Sequence, residues 1–317
     1  MNALPAHPGL NDSRLSILMI KQQVNVPIRS SERPSEKSAS FAGPLPPLLK
    51  WAGGKRWLVD ELVASFPSGP NRYYEPFLGG AATFFALRPK RAVLSDTNPQ
   101  LINCYKQVKN HPDLVLRVLR RLRNTESNYF RVRGQQPTDP IEQAARLLFL
   151  TTLSFNGIFR ENLNGVFNVP YGGKTHVNPA DSGKVLAASA GLQGAKICCA
   201  DFETVTATAK RGDLVYFDPP YTVAHGNNGF VKYNAKIFNW DDQVRLAETA
   251  ERLANRGCNV FISNADHESI RRLYRQFELK VVNRHSKIAA SSRYRKSITE
   301  CLFFNAEVNR ARVAECR

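Results

Sequence analysis

The chain has 317 residues, 43% hydrophobic and 22% charged, with 44 Lys and Arg against 27 Asp and Glu and a net charge of +17. This is globular composition with enough apolar material for a sizeable core, and no apolar run approaches the ~20 residues of a membrane span. The charge favours a polyanionic partner, nucleic acid above all.

The first residues lack the basic patch, apolar block and small-residue cleavage site of a secretory signal. The six cysteines form no C-x-x-C pair. They read as reduced thiols of a cytoplasmic protein, with neither a disulfide framework nor a metal site. Residues 1–43, rich in Ser, Pro, Asn and Arg and without periodicity, read as a tail.

The folded part opens at Pro46-Pro47-Leu48-Leu49-Lys50-Trp51. Trp57 to Phe66 is helix-like. Arg72 to Phe77 reads as a strand running into a glycine loop, and Ala81 to Leu87 as a helix. Arg91 to Ser95 is a second strand, ending at Asp96, and Pro99 to Asn110 a further helix. Such strand-helix alternation marks a parallel α/β sheet.

The alternation breaks over about 112–182. Asp113 to Leu122 and Ile141 to Leu153 read as helices, with polar, basic segments between and after them. Ile158 to Val169 is a hairpin candidate, its Asn164-Gly165 pair suited to a tight type I′ turn. After Ser182 the α/β rhythm returns. Lys196 to Cys199 precedes Asp201, Asp213 to Phe217 is a buried-strand run, and the helix Asp241 to Asn255 leads into the strand Asn259 to Ser263. Lys280 to Val282 and Ser297 to Phe304 suit an antiparallel end of the sheet. The middle block therefore reads as an insertion into one α/β domain.

The sharpest chemical signal is Asp218-Pro219-Pro220-Tyr221, after the strand ending at Phe217. Two prolines hold the chain extended and remove two backbone donors. The result is an acceptor-rich corner followed by an aromatic ring, placed where open α/β sheets bind ligands. An adenine amino nitrogen is a poor nucleophile because its lone pair is delocalised into the ring. With its two hydrogens accepted by the Asp218 carboxylate and the Pro219 carbonyl, that lone pair is freed to face an electrophile, while Tyr221 holds the base plane. Position and electrostatics would then do the catalysis; the competing reading is a proline-rich strand-to-loop junction with a structural tyrosine.

Glu75-Pro76-Phe77-Leu78-Gly79-Gly80 lies between a strand and a helix, where glycines admit close approach of a ligand. Asp96 stands about 20 residues on, where doubly wound folds place an acid on ribose hydroxyls; the competing reading is a helix cap. In Lys50-Trp51-Ala52-Gly53-Gly54-Lys55 the glycine pair offers backbone donors and Lys55 a partner for a carboxylate, such as that of a methionine moiety. The competing readings are a core Trp51 and a solvated Lys55.

The order of these motifs resembles the Dam-type (D12 class) DNA N6-adenine methyltransferases. The resemblance also rests on Leu94-Ser95-Asp96-Thr97-Asn98, Asn156-Gly157-Ile158-Phe159-Arg160, Phe167-Asn168-Val169-Pro170-Tyr171-Gly172 and Ile262-Ser263-Asn264. It covers about residues 47–305. It implies a Rossmann-like α/β domain, 44–111 with 183–305, binding S-adenosylmethionine (SAM). A mostly helical target-recognition domain with a β-hairpin, 112–182, is inserted in it, and 306–317 form a C-terminal tail. It places Trp51, Gly53, Lys55, Glu75, Phe77, Gly79, Asp96 and, by a looser match, Asp201 and Phe202 around SAM, with Asp218 where cofactor and target base meet.

The implied substrate is double-stranded DNA, with the adenine flipped out of the stack and GATC as the site. Asn156, Ile158, Arg160, Asn164 and Pro170 fall on base-contacting positions, Arg160 as a bidentate donor to guanine. The competing reading of Arg160 is a salt bridge to Glu161 or Glu142. Phosphate contacts are expected from Arg117, Arg120, Arg121 and Arg123, and from a second basic cluster containing Arg293, Arg295 and Lys296. The expected protein is a bacterial or phage-encoded monomer without a metal. Two alternatives stay open: a methyltransferase for RNA or a protein amide, and a DNA-binding regulator without catalysis.

Overall fold

The computed structural model describes residues 45–162, 165–222, 238–285 and 297–305. Seven strands form one sheet: β1 (Tyr73–Glu75), β2 (Ala92–Asp96), β3 (Ala195–Cys199), β4 (Leu214–Phe217), β5 (Asn259–Ala265), β6 (Glu278–His285) and β7 (Ser297–Phe304). Their order is β3-β2-β1-β4-β5-β7-β6. The first five are parallel, and β7 runs antiparallel between β5 and β6.

The central strands β1, β2, β4 and β5 are buried on both faces because both faces are covered. Successive side chains point to opposite sides, and the core divides accordingly. Tyr73, Leu94, Leu214, Tyr216, Phe261 and Leu302 join one apolar cluster. Tyr74, Val93, Val215, Phe217, Ile262 and Phe303 join another. Helices α1 (Val59–Ser65), α2 (Ala82–Leu87), α3 (Pro99–Asn110), α4 (Pro112–Arg121), α5 (Glu126–Gly134), α6 (Pro140–Leu153) and α7 (Ser182–Leu192) contribute to the first. Helices α8 (Phe202–Thr206), α9 (Trp240–Asn255) and α10 (Glu268–Leu273) contribute to the second. This is a Rossmann-like α/β fold.

Several helices start where the sequence provides a cap. Asn98 accepts from Leu101 N–H at the start of α3, Asp139 from Ile141 and Glu142 at α6, and Asn239 closes a capping box with Asp242 at α9. The α6 run Leu147-Leu148-Phe149-Leu150 is fully core. Its helix packs on α3 and α4, so the middle block shares the first apolar cluster with the sheet.

The structure departs from the sequence reading in two places here. The segment between the two expected middle helices contains α5, capped by Thr125. It buries only Tyr129 and Val132, too few apolar positions to make a legible stripe. The hairpin is also closed differently. Asn162 accepts from Gly165 N–H and donates to Val166 O, and Gly165 sits at φ 71°. That frames a three-residue loop with glycine in the left-handed position rather than a two-residue type I′ turn. Asn164 itself lies outside the described residues, as do Arg293, Arg295 and Lys296. Among the described residues no helix is long and apolar enough to cross a membrane.

Candidate active site

The strand order reverses between β1 and β4, which pair in parallel with Tyr73 opposite Leu214 and Tyr74 opposite Val215. Loops leaving these two strands therefore diverge around one crevice at their carboxyl ends, the usual ligand position in such sheets. The loop after β1 is Glu75 to Gly80 and the loop after β4 is Asp218 to Tyr221. Together with residues 51–55, the end of β2 and the start of α8 they line a cleft of ≈ 1200 Å³. Single-ligand pockets occupy about 300–1,000 Å³, so the cleft has room for a cofactor and a second planar group.

At the base of the cleft is a buried ion cluster. Lys55 Nζ lies 2.8 Å from Asp218 Oδ1 and 3.7 Å from Glu300 Oε2. The side chains are 4%, 17% and 7% exposed, respectively, which excludes a solvated role for Lys55. The ammonium also donates to Gly53 O at 3.0 Å and stands 4.7 Å from the centre of the Tyr221 ring, a cation–π contact. The Tyr221 hydroxyl donates to Glu300 Oε2 at 2.7 Å. The carboxylates that Lys55 meets are thus the chain's own. Burial pushes the Asp218 carboxyl up to about 6 against the pull of Lys55, and Glu300 adds to the push. Burial likewise drives Glu75 up to about 8, despite the hydrogen bond it accepts from the Tyr73 hydroxyl at 3.0 Å.

Behind the Asp218 corner, Gln243 of α9 donates to Pro220 O at 3.4 Å and accepts from Asn264 Nδ2 at 3.0 Å. Both amide side chains are fully buried, so the loop is braced from the core. Among the described residues no donor reaches Pro219 O, which lies next in the chain to the Asp218 carboxylate.

The opposite end of the cleft suits a nucleoside. Asp96 accepts from Gly79 N–H at 3.1 Å with one oxygen and from Asn98 N–H at 2.9 Å with the other. The cap of α3 is Asn98, so Asp96 is an acid at a strand end rather than a helix cap. Burial raises its pKa, and backbone N–H groups oppose the rise. Gly79 adopts φ 44°, and a Cβ there would come 3.0 Å from Trp51 Cδ1. The loop is therefore held closely under the indole, and Tyr105 fastens it from α3 by donating to Gly79 O at 2.9 Å. Phe77 stacks on Phe202 with ring centres 5.6 Å apart, and Phe238 meets Phe77 edge-on. Arg245 covers Phe202 at 4.3 Å and grips both oxygens of Asp201 at 2.8 and 3.0 Å. Charge-assisted bonds from that guanidinium hold the Asp201 pKa low, against burial.

The structure thus brings Trp51, Gly53, Lys55, Glu75, Phe77, Gly79, Asp96, Asp201, Phe202, Asp218, Pro219 and Tyr221 to one cleft. Arg160 lines its rim with Phe159, whose ring stacks on Trp51 at 4.7 Å and 15°. Arg160 is exposed and donates to Asn168 Oδ1 at 2.9 Å, while Glu161 accepts from Gln100. No ion pair between Arg160 and either Glu142 or Glu161 occurs among the described residues. Asn156, Ile158 and Pro170 are not on the cleft wall. Asn156 takes a left-handed φ of 54° just before Gly157. Arg117, Arg120, Arg121 and Arg123 are exposed.

Sequence reasoning missed Glu300, Gln243, Arg245, Phe238 and Tyr105. Only Glu300 left a signal, as an acid directly before the apolar run Cys301 to Phe304. The other four lie on an amphipathic helix, in a helix core position, or in a loop, where nothing local distinguishes them.

These features coincide with a known family. The description "D12 class N6 adenine-specific DNA methyltransferase" matches residues 51–288. The chain belongs to this family, which uses S-adenosylmethionine as methyl donor. It is 34% identical over 271 residues to the "Type II methyltransferase M1.LlaDCHI" of Lactococcus lactis subsp. cremoris, covering 82% of this chain and 95% of that one. It is 35% identical over 262 residues to a "DNA adenine methylase" of Vibrio cholerae, covering 80% and 94%, respectively. It is 34% identical over 261 residues to the "DNA adenine methylase" of Escherichia coli strain K12, covering 80% and 93%. The relatives support DNA adenine methyltransferase activity, with DNA as the substrate.

Replacing Lys55 by Ala strands Asp218 and Glu300 without their cation, and breaking a buried pair in this way costs about 3–5 kcal/mol. The Asp218 carboxyl already titrates above its ordinary range when folded, and it rises further without Lys55. The folded state then holds its proton more tightly than the unfolded chain, so stability falls as pH rises through that window. Denaturant melts of Lys55→Ala should therefore show a larger deficit at about pH 8 than at about pH 5. An equal deficit at both would remove the buried ion pair from the account.

Proposed function

We propose that the chain methylates the amino nitrogen of an adenine flipped out of duplex DNA, within GATC. The observation that carries this reading is the Asp218–Pro219 corner, with its carboxylate and open carbonyl, facing the same cleft as the Gly79 loop and Asp96. One end offers two acceptors for an amino group, and the other offers a nucleoside cradle.

Asp96 would hold the ribose hydroxyls of the cofactor, Phe77 and Phe202 its adenine, with Asp201 at the edge of that pocket. Trp51, Gly53 and Gly79 would border its amino-acid end. When bound there, SAM would supply an electrophilic methyl group whose leaving group, a neutral thioether, keeps the bonding electron pair. The Asp218 carboxylate and Pro219 carbonyl accept the two amino hydrogens, free the nitrogen lone pair and orient it. Asp218 also stands where the proton released from the methylated nitrogen is taken up before passing to water. Tyr221 holds the base plane, its ring fixed by the hydroxyl bond to Glu300. Glu75, its pKa near 8, adds a largely neutral carboxyl to the pocket wall at neutral pH.

Residues 112–182 form the recognition unit in this reading. Arg160, exposed at the cleft rim beside the Trp51–Phe159 stack, reads a guanine, with Asn156, Ile158 and Pro170 on neighbouring bases. The exposed arginines of α4 and the loop after it meet phosphates.

The deciding experiment incubates the protein with SAM and unmethylated plasmid, then digests with nucleases that differ in sensitivity to GATC methylation. Protection against the sensitive nuclease alone is expected; a methylated plasmid cut as before by both would place the site elsewhere. Asp218→Ala should abolish transfer while retaining the fold and most DNA affinity, and wild-type turnover by that variant would refute the acceptor role. Arg160→Ala should relax the choice at one guanine by about 1–3 kcal/mol. Methylome sequencing that finds its site preference unchanged would dismiss that contact.

A further inference from the structure

The ion cluster contains one more acid than the reading above uses. Lys55 is the one cation acting on Asp218 among the described residues, yet it also faces Glu300. Glu300 comes from β7, on the far side of β5, and reaches the cluster from the end of the strand opposite Ala265. An acid at a core position of an apolar strand is expensive unless paired. Glu300 is 5% exposed as a residue, between Thr299 and the buried Cys301 and Leu302. Its Oε2 both accepts from the Tyr221 hydroxyl and lies within ion-pair distance of Lys55. The other titratable groups facing this cluster are Tyr73 and Glu75 from β1 and Tyr216 from β4.

We propose that Glu300 is a positioning residue for methyl transfer: it divides the Lys55 ammonium with Asp218 and thereby keeps the Asp218 carboxylate a strong enough acceptor for the target amino group. This rests on the acceptor role of Asp218 proposed above. An ammonium 2.8 Å from a single carboxylate neutralises it and weakens its hold on any other donor. A second carboxylate on the same ammonium reverses part of that effect, because the like charge favours protonation of its neighbour. The raised Asp218 carboxyl, to which Glu300 contributes, agrees with this balance. Through the Tyr221 hydroxyl the same oxygen also fixes the ring against which the base is held. Glu300 thus sets both the charge and the plane of the base pocket without touching the base.

The test is Glu300→Gln, which retains an acceptor for the Tyr221 hydroxyl and removes only the charge. Activity that requires ionised Asp218 is lost as pH falls through its pKa, and kcat/KM reports that pKa in the free enzyme. Removing the Glu300 charge lowers the Asp218 pKa, so the acid limb should move down by roughly half a unit or more. At neutral pH kcat should fall several-fold. Glu300→Asp, which keeps the charge, should leave the limb near its wild-type position. The carboxyl 13C shift of Asp218, followed by NMR in the free protein, should titrate in parallel without any turnover.

An acid limb in Glu300→Gln that superimposes on wild type overturns the proposal, as does a limb in Glu300→Asp that moves equally far. If Glu300→Gln does not fold, the wild-type titration decides. Carboxyl 13C shifts of Asp218 and Glu300 that follow one common titration support a divided ammonium, and shifts that follow independent titrations overturn it. An unmoved limb with adenine methylation intact sinks only the role of Glu300. Absence of methylation by the wild-type chain sinks the proposed function instead.

Discussion

The arrangement depends on one buried ammonium. Lys55 is held by a glycine-rich turn before α1, far in sequence from the acids it meets, and it faces one carboxylate just past the end of β4 and another from within β7. Without it, the cost of burying charge and the nearby Glu300 would push the Asp218 carboxyl further toward its protonated form. With it, a carboxylate is retained at the floor of a cleft where water is scarce. The cost of burial still shows in the high pKa values of Asp218 and Glu75. A carboxylate kept ionised only narrowly is a better hydrogen acceptor than one tightly neutralised.

The rest of the cleft follows from the sheet. Because β1 and β4 are neighbours with opposite directions of onward winding, the glycine loop and the Asp218 corner cannot avoid each other. Each is then fastened from behind by a side chain that takes no part in the cleft's surface chemistry. Tyr105 ties Gly79, and the Gln243–Asn264 amide pair ties Pro220. The loops are in this way set on a rigid scaffold, which suits catalysis that works by position more than by covalent chemistry.

Much of this was legible from residue order, and the reasons differ by element. The parallel strands were visible as apolar runs because both of their faces are covered, and α3, α6 and α9 were visible because their periodicity is sustained and their caps are conventional. Helix α5 was not, since a helix burying only Tyr129 and Val132 writes no stripe. The Asp218, Gly79 and Asp96 segments announced themselves through residue types that a strand-to-helix turn seldom needs together. Gln243 and Arg245 did not, because their significance lies in what they meet 23 and 44 residues away along the chain. The hairpin was recognised as a hairpin but closed one residue earlier than expected, by bonds between Asn162 and both Gly165 and Val166, with Gly165 left-handed.

The Trp51–Phe159 stack carries a thermodynamic obligation. One ring belongs to the segment before α1 and leans on Gly79; the other belongs to the hairpin whose next residue is Arg160. The contact is a shared wall between a small-molecule compartment and a surface that faces outward. Any gain in affinity that an occupant on one side confers through that wall must be returned, by the same factor, to an occupant on the other. Whatever factor links the two sides is one number, read alike from either of them.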